Sequence, residues 1–475
     1  MKNKPGKIFL FLLVLAICIM INACFSPWKE EEPDQNTITI YIGSGNNRSA
    51  VPSSDFIGKL VHKVTCTPMN GILPIPGGIP IIRTILPPPN PQFVTITLGD
   101  GEWDIFVESF WGSVNGPKFA GGGPKDSSPI PNPINITMPR LITDPPLSIK
   151  MEDYTQAVWV EDPLGNIIVD PPITGFPPNS PYWDLNDLLD DISTTISPNS
   201  SYLTPGTTPP YTVWLLREYD EISINTYTTP PPPRPSTNMN DINGYNFIFR
   251  PYTADGVTIA SDSMTNPNNP GSLFNVNAGE LTLESGITLV GPSSPNSNDM
   301  PLLQVTGGIF TMEAGSEIKG NKNTPAGSSR GGISVSGGTF NLNGGTIKEN
   351  FAQEGSGVYV SGGSFNMNSG SIVDNGDITL AVYGAGVYIN GGTFTMNGGS
   401  ITGNECRVSG AGVTVSGTGT FIINTPAVSG ALGNVSGNSV DPSGGGSSTN
   451  LQVLHNTGST ITIEDGTSYT SGAGW

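Results

Sequence analysis

The sequence predicts an all-β protein whose larger part is a solenoid of stacked, parallel strands, preceded by a smaller β domain. Short segments that alternate apolar and polar residues recur along most of the chain, between turns rich in Gly and Pro. These two residues number 61 and 44 in a chain of 475. From residue 272 onward the chain also repeats itself every 25 to 30 residues, a period typical of solenoids.

The first 23 residues have the pattern of an export signal. Three lysines precede an apolar run at 8–21, which is too short for a membrane span of roughly 20 residues. The run ends in Ile21-Asn22-Ala23-Cys24, which resembles a bacterial lipobox, whose cysteine becomes diacylglyceryl-modified. We therefore predict lipidation at Cys24 and a tether over 24–36. An ordinary cleaved signal with an incidental cysteine is the alternative.

The charge balance limits the partners. The chain holds 20 basic and 39 acidic residues, and loss of the three signal lysines would leave a net charge of −22. Such a surface repels nucleic acid and anionic lipid, so we expect no nucleic-acid partner and attachment to a membrane through the lipid on Cys24. The two histidines, His62 and His455, offer little for zinc or for histidine-dependent catalysis. No cofactor is predicted.

Residues 37–140 are predicted to form a small domain of the β-sandwich type. Segments 93–98 and 103–110 alternate at period two, as half-buried strands do. They are joined by Gly99-Asp-Gly-Glu102, which predicts a hairpin turn. Segment 134–138 is a candidate closing strand.

A proline-rich linker, residues 141–182, is predicted to precede the solenoid region, 183–475. That region opens with a predicted helix at 183–196, whose Leu and Ile residues fall on one helical face. Asp184 suits the N-cap of this helix, and short alternating segments then lead into the repeat.

Successive repeat units align on one large apolar residue, which is Leu281 in the first unit. The spacings from it are 29, 30, 25, 29 and 27 residues. Each unit, such as GGTFTMNGGSITGN at 391–404, gives very short strands separated by Gly-Gly or Asn-Gly corners. Because alternate side chains of a strand point to opposite faces, the apolar ones must share an interior, where like stacks on like. The aligned aromatic residues are Phe310, Phe340, Phe365, Phe394 and Phe421.

Two columns of asparagine accompany the phenylalanines. One lies three residues after the aromatic position and the other lies ten residues after it. Asn tolerates left-handed corners and forms amide ladders between stacked chains, so we predict a structural role for both columns. The first column is Asn343, Asn368, Asn397 and Asn424, and the second is Asn350, Asn375 and Asn404.

The repeat unit resembles those of right-handed parallel β-helix proteins, the pectin-lyase-like superfamily, and more narrowly those of large bacterial surface lipoproteins. The likeness is close over 272–440 and looser over 183–271. It implies a right-handed parallel β-helix with an N-terminal capping helix, in which 183–196 covers the open apolar end of the first coil. It also implies a location at the cell envelope, at the outer membrane or cell surface.

Many members of that superfamily cleave acidic polysaccharides, which raises an enzyme as the alternative function. Residues 272–475 hold only five basic residues against 13 acidic ones, and this suits an anionic substrate poorly. Glu349 and Asp374 share one column on adjacent coils, so their carboxylates are a candidate calcium site. Two solvated charges at a corner are the alternative. No catalytic residue is predicted.

Tyr359 and Tyr388 share a column that is predicted to face outward on neighbouring coils, which makes them a candidate sugar-binding pair. A cross-coil pair that merely fits a pleated surface is the alternative. Unit length varies at one corner, and loops at such edges commonly carry recognition. We expect a lipid-anchored, non-catalytic surface protein that serves in adhesion or in binding of glycans or surface proteins. A polysaccharide lyase or hydrolase is the alternative.

Overall fold

The computed structural model describes the chain in segments, and Cys24 with the predicted signal lies outside them. The described residues are 36–42, 58–69, 80–87, 93–114, 118–122, 134–139, 147–149, 151–153, 158–168, 185–192, 203–215, 241–252, 256–260, 272–291, 300–323, 330–379, 381–408, 410–424, 435–440, 453–455, 460–463 and 468–470. Two compact units divide the chain: Met1–Asn47, Val61–Ser109 and Ala120–Glu152 form the first, and Arg48–Leu60, Phe110–Phe119 and Asp153–Trp475 the second.

The N-terminal strands form two sheets. In the three-stranded sheet β1 lies between β4, which is antiparallel to it, and β8, which is parallel. The other sheet has the order β3-β2-β5-β6-β9, and β7 also pairs with β5. The strands are β1 (Thr37–Ile42), β2 (Leu60–Met69), β3 (Ile81–Ile85), β4 (Phe93–Thr97), β5 (Gly101–Trp111), β6 (Lys118–Gly122), β7 (Ile134–Met138), β8 (Leu147–Ile149) and β9 (Met151–Asp153).

Alternation along these strands buries one face of each sheet. In β1 the side chain of Ile40 is fully buried, whereas the Thr39 hydroxyl lies 3.3 Å from that of Thr95 across the sheet. In β2 Cys66 is buried, and burial raises the pKa of its thiol to about 11, although the charge of Arg83 acts in the opposite sense. The Cys66 thiol is therefore protonated at neutral pH.

The predicted hairpin turn at residues 99–102 is wrong, whereas the predicted closing strand is confirmed as β7. β4 and β5 lie in different sheets, because β4 pairs with β1 and β5 pairs with β7. The indole Nε1 of Trp103 donates to the carbonyl oxygen of Gly99 at 2.8 Å and closes the corner between the two sheets.

Three further sheets build the second unit. The long sheet has eleven strands: β10 (Val158–Glu161), β11 (Tyr211–Leu215), β12 (Asn246–Pro251), β15 (Glu280–Leu283), β18 (Ile309–Met312), β21 (Thr339–Leu342), β24 (Ser364–Met367), β27 (Thr393–Met396), β31 (Thr420–Ile423), β35 (Thr460–Ile463) and β36 (Ser468–Thr470).

The second sheet comprises β13 (Val257–Ala260), β16 (Ile287–Val290), β19 (Glu317–Lys319), β22 (Thr346–Lys348), β25 (Ser371–Val373), β28 (Ser400–Thr402) and β32 (Val435–Ser436). The third sheet comprises β14 (Phe274–Val276), β17 (Leu303–Val305), β20 (Ile333–Val335), β23 (Val358–Val360), β26 (Val387–Ile389), β30 (Val413–Val415) and β34 (Val453–His455). A small pair consists of β29 (Glu405–Cys406) and β33 (Ser439–Val440).

Each coil passes through the three sheets in the order third, long, second. β14, β15 and β16 form one coil, and their parallel partners β17, β18 and β19 form the next. At least five successive coils, from Phe274 to Thr402, hold a strand in every sheet. The predicted parallel β-solenoid is therefore confirmed.

The aromatic column forms the centre of the solenoid core, as the repeat predicts. Phe365 stacks on Phe340 with ring centroids 4.7 Å apart, and on Phe394 with centroids 4.5 Å apart. All three side chains are fully buried. Leu281 pairs in register with Phe310, so it holds the same column in an earlier coil. Truncation of such a buried ring to Ala typically costs about 3–5 kcal/mol.

A helix and two antiparallel strands lie at the ends of this stack. The described part of the predicted helix 183–196 is α1 (Leu185–Ile192), and Asp184 lies outside the described residues. Its buried leucines and isoleucine belong to the same apolar core as the coils, so it covers that core as expected. β10 and β36 pair antiparallel with β11 and β35. Within the described segments, no helix combines the length and the apolar character needed to cross a membrane.

Candidate functional site

The asparagine column that lies ten residues after the aligned aromatic positions is a buried hydrogen-bonded ladder, here called the inner ladder. Its members are Asn350, Asn375, Asn404 and Asn438. In Asn375 the amide Nδ2 donates to the Oδ1 of Asn404 at 3.0 Å and to the backbone oxygens of Ile347 and Val373 at 3.0 and 3.1 Å. The side chain is fully buried. The predicted structural role of this column is confirmed.

Glu349 and Asp374, the candidate calcium ligands, lie at the corner just before this ladder. Both have left-handed backbone, with φ of 54° and 55°, at the position that Gly320 and Gly403 occupy in neighbouring coils. The backbone N–H of Glu349 donates to the carbonyl oxygen of Asp374 at 3.1 Å, and both side chains are exposed. In the segments with described structure, no three His, Cys, Asp or Glu side chains gather in a way that suits a metal ion.

Lys348, beside that corner, is engaged by a different carboxylate. Its Nζ lies 3.1 Å from the Oε2 of Glu317 on the adjacent coil, and Glu317 also pairs with Lys319. The hydrogen bond to Glu317 is the main cause that raises the pKa of Lys348, and the charges of Glu349 and Asp374 add to it. This part of the second sheet therefore carries a charge network between coils.

Tyr359 and Tyr388 stack as neighbours in the third sheet, but their rings are not exposed. The centroids lie 5.6 Å apart and the residues are only 8% and 7% exposed. Corner residues lie in close contact with this pair. At Gly355, for example, an added Cβ would lie only 2.8 Å from the Cβ of Tyr359. Burial raises the pKa of the Tyr388 hydroxyl, although a hydrogen bond with Ser416 acts in the opposite sense. The predicted outward exposure of this pair is wrong, and its geometry fits the alternative of a cross-coil pair.

The third sheet is covered in this way from β14 to β30. The middle residues of these strands point away from the core, yet each is less than a tenth exposed. Around the two tyrosines the corner segments of adjacent coils supply this cover: a Cβ on Gly384 would meet the Cβ of Tyr388 at 2.9 Å, and Glu354 and Tyr383 form an isolated parallel bridge. The covered side chains include Asn275, Gln304, Ser334, Tyr359, Tyr388 and Thr414.

The long sheet, in contrast, has an open face over its later strands. We call this the neutral face: the outward side chains of β21, β24, β27 and β31, with the residue after each strand. Eleven of its twelve side chains are hydroxyls or amides, and the twelfth is Ile422. None is charged, and all are partly or fully exposed. The twelve are Thr339, Asn341, Asn343, Ser364, Asn366, Asn368, Thr393, Thr395, Asn397, Thr420, Ile422 and Asn424.

One column of the neutral face is a hydrogen-bonded chain, here called the outer ladder: Asn343, Asn368, Asn397 and Asn424. Each amide Nδ2 donates to the Oδ1 of the preceding coil, at 3.0, 2.7 and 2.8 Å from the last bond to the first. The chain ends where Asn343 donates to the Oε1 of Glu313 at 2.9 Å. The column predicted from the repeat is thus a ladder, and the carboxylate accepts its last donor.

The same face is charged in earlier coils. Glu280, Glu284 and Glu313 occupy outward positions on β15, β18 and the residues that follow them. Arg250 pairs with Glu284 through two parallel hydrogen bonds, one of 2.6 Å, and its guanidinium lies 5.1 Å from the ring of Trp214. The neutral face therefore begins only after these coils.

A cluster of tryptophans closes the start of the long sheet, and sequence reasoning missed it. Trp111 lies edge-on to Trp214 at 5.9 Å, and both rings are almost fully buried. The ammonium of Lys59 lies 5.1 Å from the Trp111 ring and pairs with Glu161, which also accepts the indole N–H of Trp214 at 2.8 Å. Trp159 packs against the ring of Trp111, with centroids 6.2 Å apart. These polar groups partner each other, so the cluster is structural.

No protein-family model matches the chain, and no curated protein or solved structure matches it either. The neutral face is therefore chosen as the candidate site from its exposure, its lack of charge and its regular array of polar side chains. A signal for it was present in the sequence, as Thr, Ser and Asn at alternate positions around each aligned phenylalanine. That pattern alone did not reveal that the third sheet is covered while the outward positions of the long sheet stay exposed.

Proposed function

We propose that the protein is a lipid-anchored surface protein of the bacterial envelope that displays the solenoid for adhesion or for binding of a glycan or surface protein, without catalysing a reaction. The observation that carries this proposal is the neutral face. Hydroxyl and amide groups repeat on it at the spacing of the coils, about 4.8 Å, on a rigid support. A fixed array of donors and acceptors suits recognition of a repetitive polar partner.

Kinship with right-handed β-helix surface lipoproteins is part of this proposal. It is supported by the parallel solenoid, by the covering helix α1 and by the lipobox-like residues that end in Cys24. In this proposal the lipid attaches the chain to the outer membrane or cell surface, because a net charge of −19 disfavours direct attachment to anionic lipid.

Fatty-acid labelling in cells tests the anchor. The intact chain should incorporate label, and Cys24→Ser should abolish incorporation while the protein is still exported. Export without label in the intact chain would contradict the anchor.

Binding without turnover is tested with the full chain on arrays of polysaccharides and matrix proteins. We expect retention on at least one target with no release of product. Turnover of a polysaccharide that Glu349→Ala and Asp374→Ala abolish would instead establish the alternative, a lyase or hydrolase.

A further inference from the structure

We infer that the neutral face binds an extended, uncharged polysaccharide whose chain lies across the strands, parallel to the stacking direction of the coils. This inference rests on the proposed binding function and names the class of partner. It is drawn from the charge, the hydrogen-bonding capacity and the spacing of the face.

The charge of the face selects against ionic partners. The chain as a whole has a net charge of −19, yet the twelve side chains of the neutral face hold no charge of either sign. An acidic polymer would meet a negative protein with no cation on this face to pair with it. A basic partner would find no carboxylate there. An uncharged partner is not repelled by the negative protein and needs no charged group on this face.

The outer ladder keeps half of its hydrogen-bonding capacity for a partner. A carboxamide has two N–H donors and two acceptor lone pairs. In Asn368 one N–H is given to Asn343 and one lone pair receives Asn397. One donor and one acceptor remain on Asn368 and likewise on Asn397, and this pair of groups matches a sugar hydroxyl, which both donates and accepts.

The ladder also fixes the side chains before any partner arrives. Each amide is already held by its neighbours above and below, so binding orders fewer free side chains and loses less entropy. A second outward position, two residues earlier on each strand, adds one further amide bond, in which Asn366 donates to Asn341 at 2.9 Å, and is Thr395 and Ile422 in the next two coils. The face is thus a preorganised array along the stack rather than a set of independent residues.

The spacing of the array favours an extended chain over a compact partner. Along the stack, like groups of the outer ladder repeat at about 4.8 Å, and the position of Asn341 and Asn366 lies about 6.6 Å from the ladder along each strand. The rings of an extended polysaccharide also follow one another at regular intervals along one line, so the chain presents hydroxyls to one amide after another. Where alternate rings are turned over, as in β-1,4-linked chains, the same pair of hydroxyls returns at every second ring.

Affinity gel electrophoresis of the full chain tests the inference with matched polymers. Hydroxyethyl cellulose and carboxymethyl cellulose share one backbone and differ in charge; galactomannan and polygalacturonate widen the neutral and acidic sets. We expect retardation by at least one neutral polymer and by neither acidic polymer.

Substitutions on the neutral face locate the site. Asn368→Asp removes the amide donors and adds one negative charge, and Asn368→Ser removes the amide without adding charge. Each should weaken retention by about tenfold, the loss expected for one or two hydrogen bonds. Thr402→Asp adds the same charge on the second sheet of the same stack and should leave retention unchanged. Thermal unfolding of each variant shows that it is folded.

The outcomes separate this inference from the proposed function. Retention only by acidic polymers or by a matrix protein overturns the neutral-polysaccharide inference and leaves the binding function standing. No retention by any target overturns both. Concentration-dependent dimerisation that Asn368→Asp abolishes would show that a second copy of the chain occupies the face. Retention that is equal for Asn368→Asp and Thr402→Asp would place the site elsewhere.

Discussion

The inner and outer ladders are built from the same residue in the same stack, but their surroundings differ. Asn375 in the inner ladder is fully buried, and its Nδ2 donates to two backbone oxygens as well as to the next amide. Asn368 in the outer ladder is exposed, and its Nδ2 donates to the neighbouring amide Asn343 alone among the described bonds.

This difference teaches that burial, not residue identity, sets the role of an amide ladder. The inner ladder satisfies backbone groups that no water can reach, so it is part of the fold. The outer ladder satisfies mainly itself and keeps groups available to solvent or to a partner. The two ladders also run in opposite directions, since Asn375 donates toward later coils and Asn368 toward earlier ones.

The largest effect should come from breaking the inner ladder. Asn375→Ala removes the two N–H donors that are shared among three oxygens and leaves the carbonyl oxygens of Ile347 and Val373 without this partner in the core. Each unsatisfied buried group costs about 1–3 kcal/mol, so we expect a loss of about 3–5 kcal/mol in the free energy of unfolding. Urea unfolding followed by circular dichroism measures it. A loss below about 1 kcal/mol would show that the inner ladder is dispensable.

The matched change in the outer ladder should be much smaller. Asn368→Ala deletes two hydrogen bonds between exposed side-chain amides, and the partner groups left behind can form hydrogen bonds with water instead. We expect a loss of about 0.5–1 kcal/mol in the same urea experiment. A loss as large as that of Asn375→Ala would mean that the outer ladder also belongs to the fold, and would weaken its assignment as a binding face.

The features that were predicted well from the sequence are those that recur in every repeat unit. The Phe365 column and both ladders follow from aligning units, because stacked coils place equal positions in contact and local spacing fixes the face. Even the positions of Glu349 and Asp374 on adjacent coils follow from that alignment.

What the sequence could not predict depends on segments outside the period. Tyr359 was expected to face solvent, but the corner that covers it varies in length between units and has no counterpart to align. The hairpin at 99–102 failed because β4 pairs with β1, more than 50 residues earlier, and local turn chemistry carries no information about that pairing. The contact of Trp111 with Trp214 is equally remote in sequence.

A smaller effect is expected at the left-handed corner that precedes the inner ladder. Glu349 has a φ of 54°, where an L-residue is disfavoured by about 1–2 kcal/mol, whereas Gly adopts it freely but loses about 0.5–1 kcal/mol of chain entropy. Glu349→Gly should therefore stabilise the fold by up to about 1 kcal/mol, which thermal unfolding measures. Gly403 already holds the equivalent position.

The same variant bears on the candidate calcium site. If Glu349 and Asp374 bind calcium, addition of the ion should raise the melting temperature of the intact chain, and Glu349→Gly should remove that rise. A rise that persists in the variant would exclude Glu349 as a ligand.

The smallest effect is a dependence on pH from the charge network beside that corner. Burial disfavours ionised Glu317, but hydrogen bonds and charge from Lys319 and Lys348 outweigh it, so the pKa of Glu317 falls below its ordinary 4.5. Its stabilising contribution is present above that value and is lost as the pH falls through the lowered pKa. The pKa of Lys348 is raised above 10.5, so its contribution is present below that value and is lost at higher pH.

Glu317→Gln should therefore lower the free energy of unfolding between about pH 5 and pH 10, and its effect should shrink as the pH falls through the lowered pKa of Glu317. We expect less than about 1 kcal/mol, because Glu317 and both lysines are partly exposed to screening solvent. Urea unfolding at pH 2, 7 and 10 measures the difference, with Glu405→Gln as the control for loss of one carboxylate at an exposed position. An equal loss at pH 2 and pH 7 would assign the effect to packing of the side chain, since the contribution of the ion pair depends on pH.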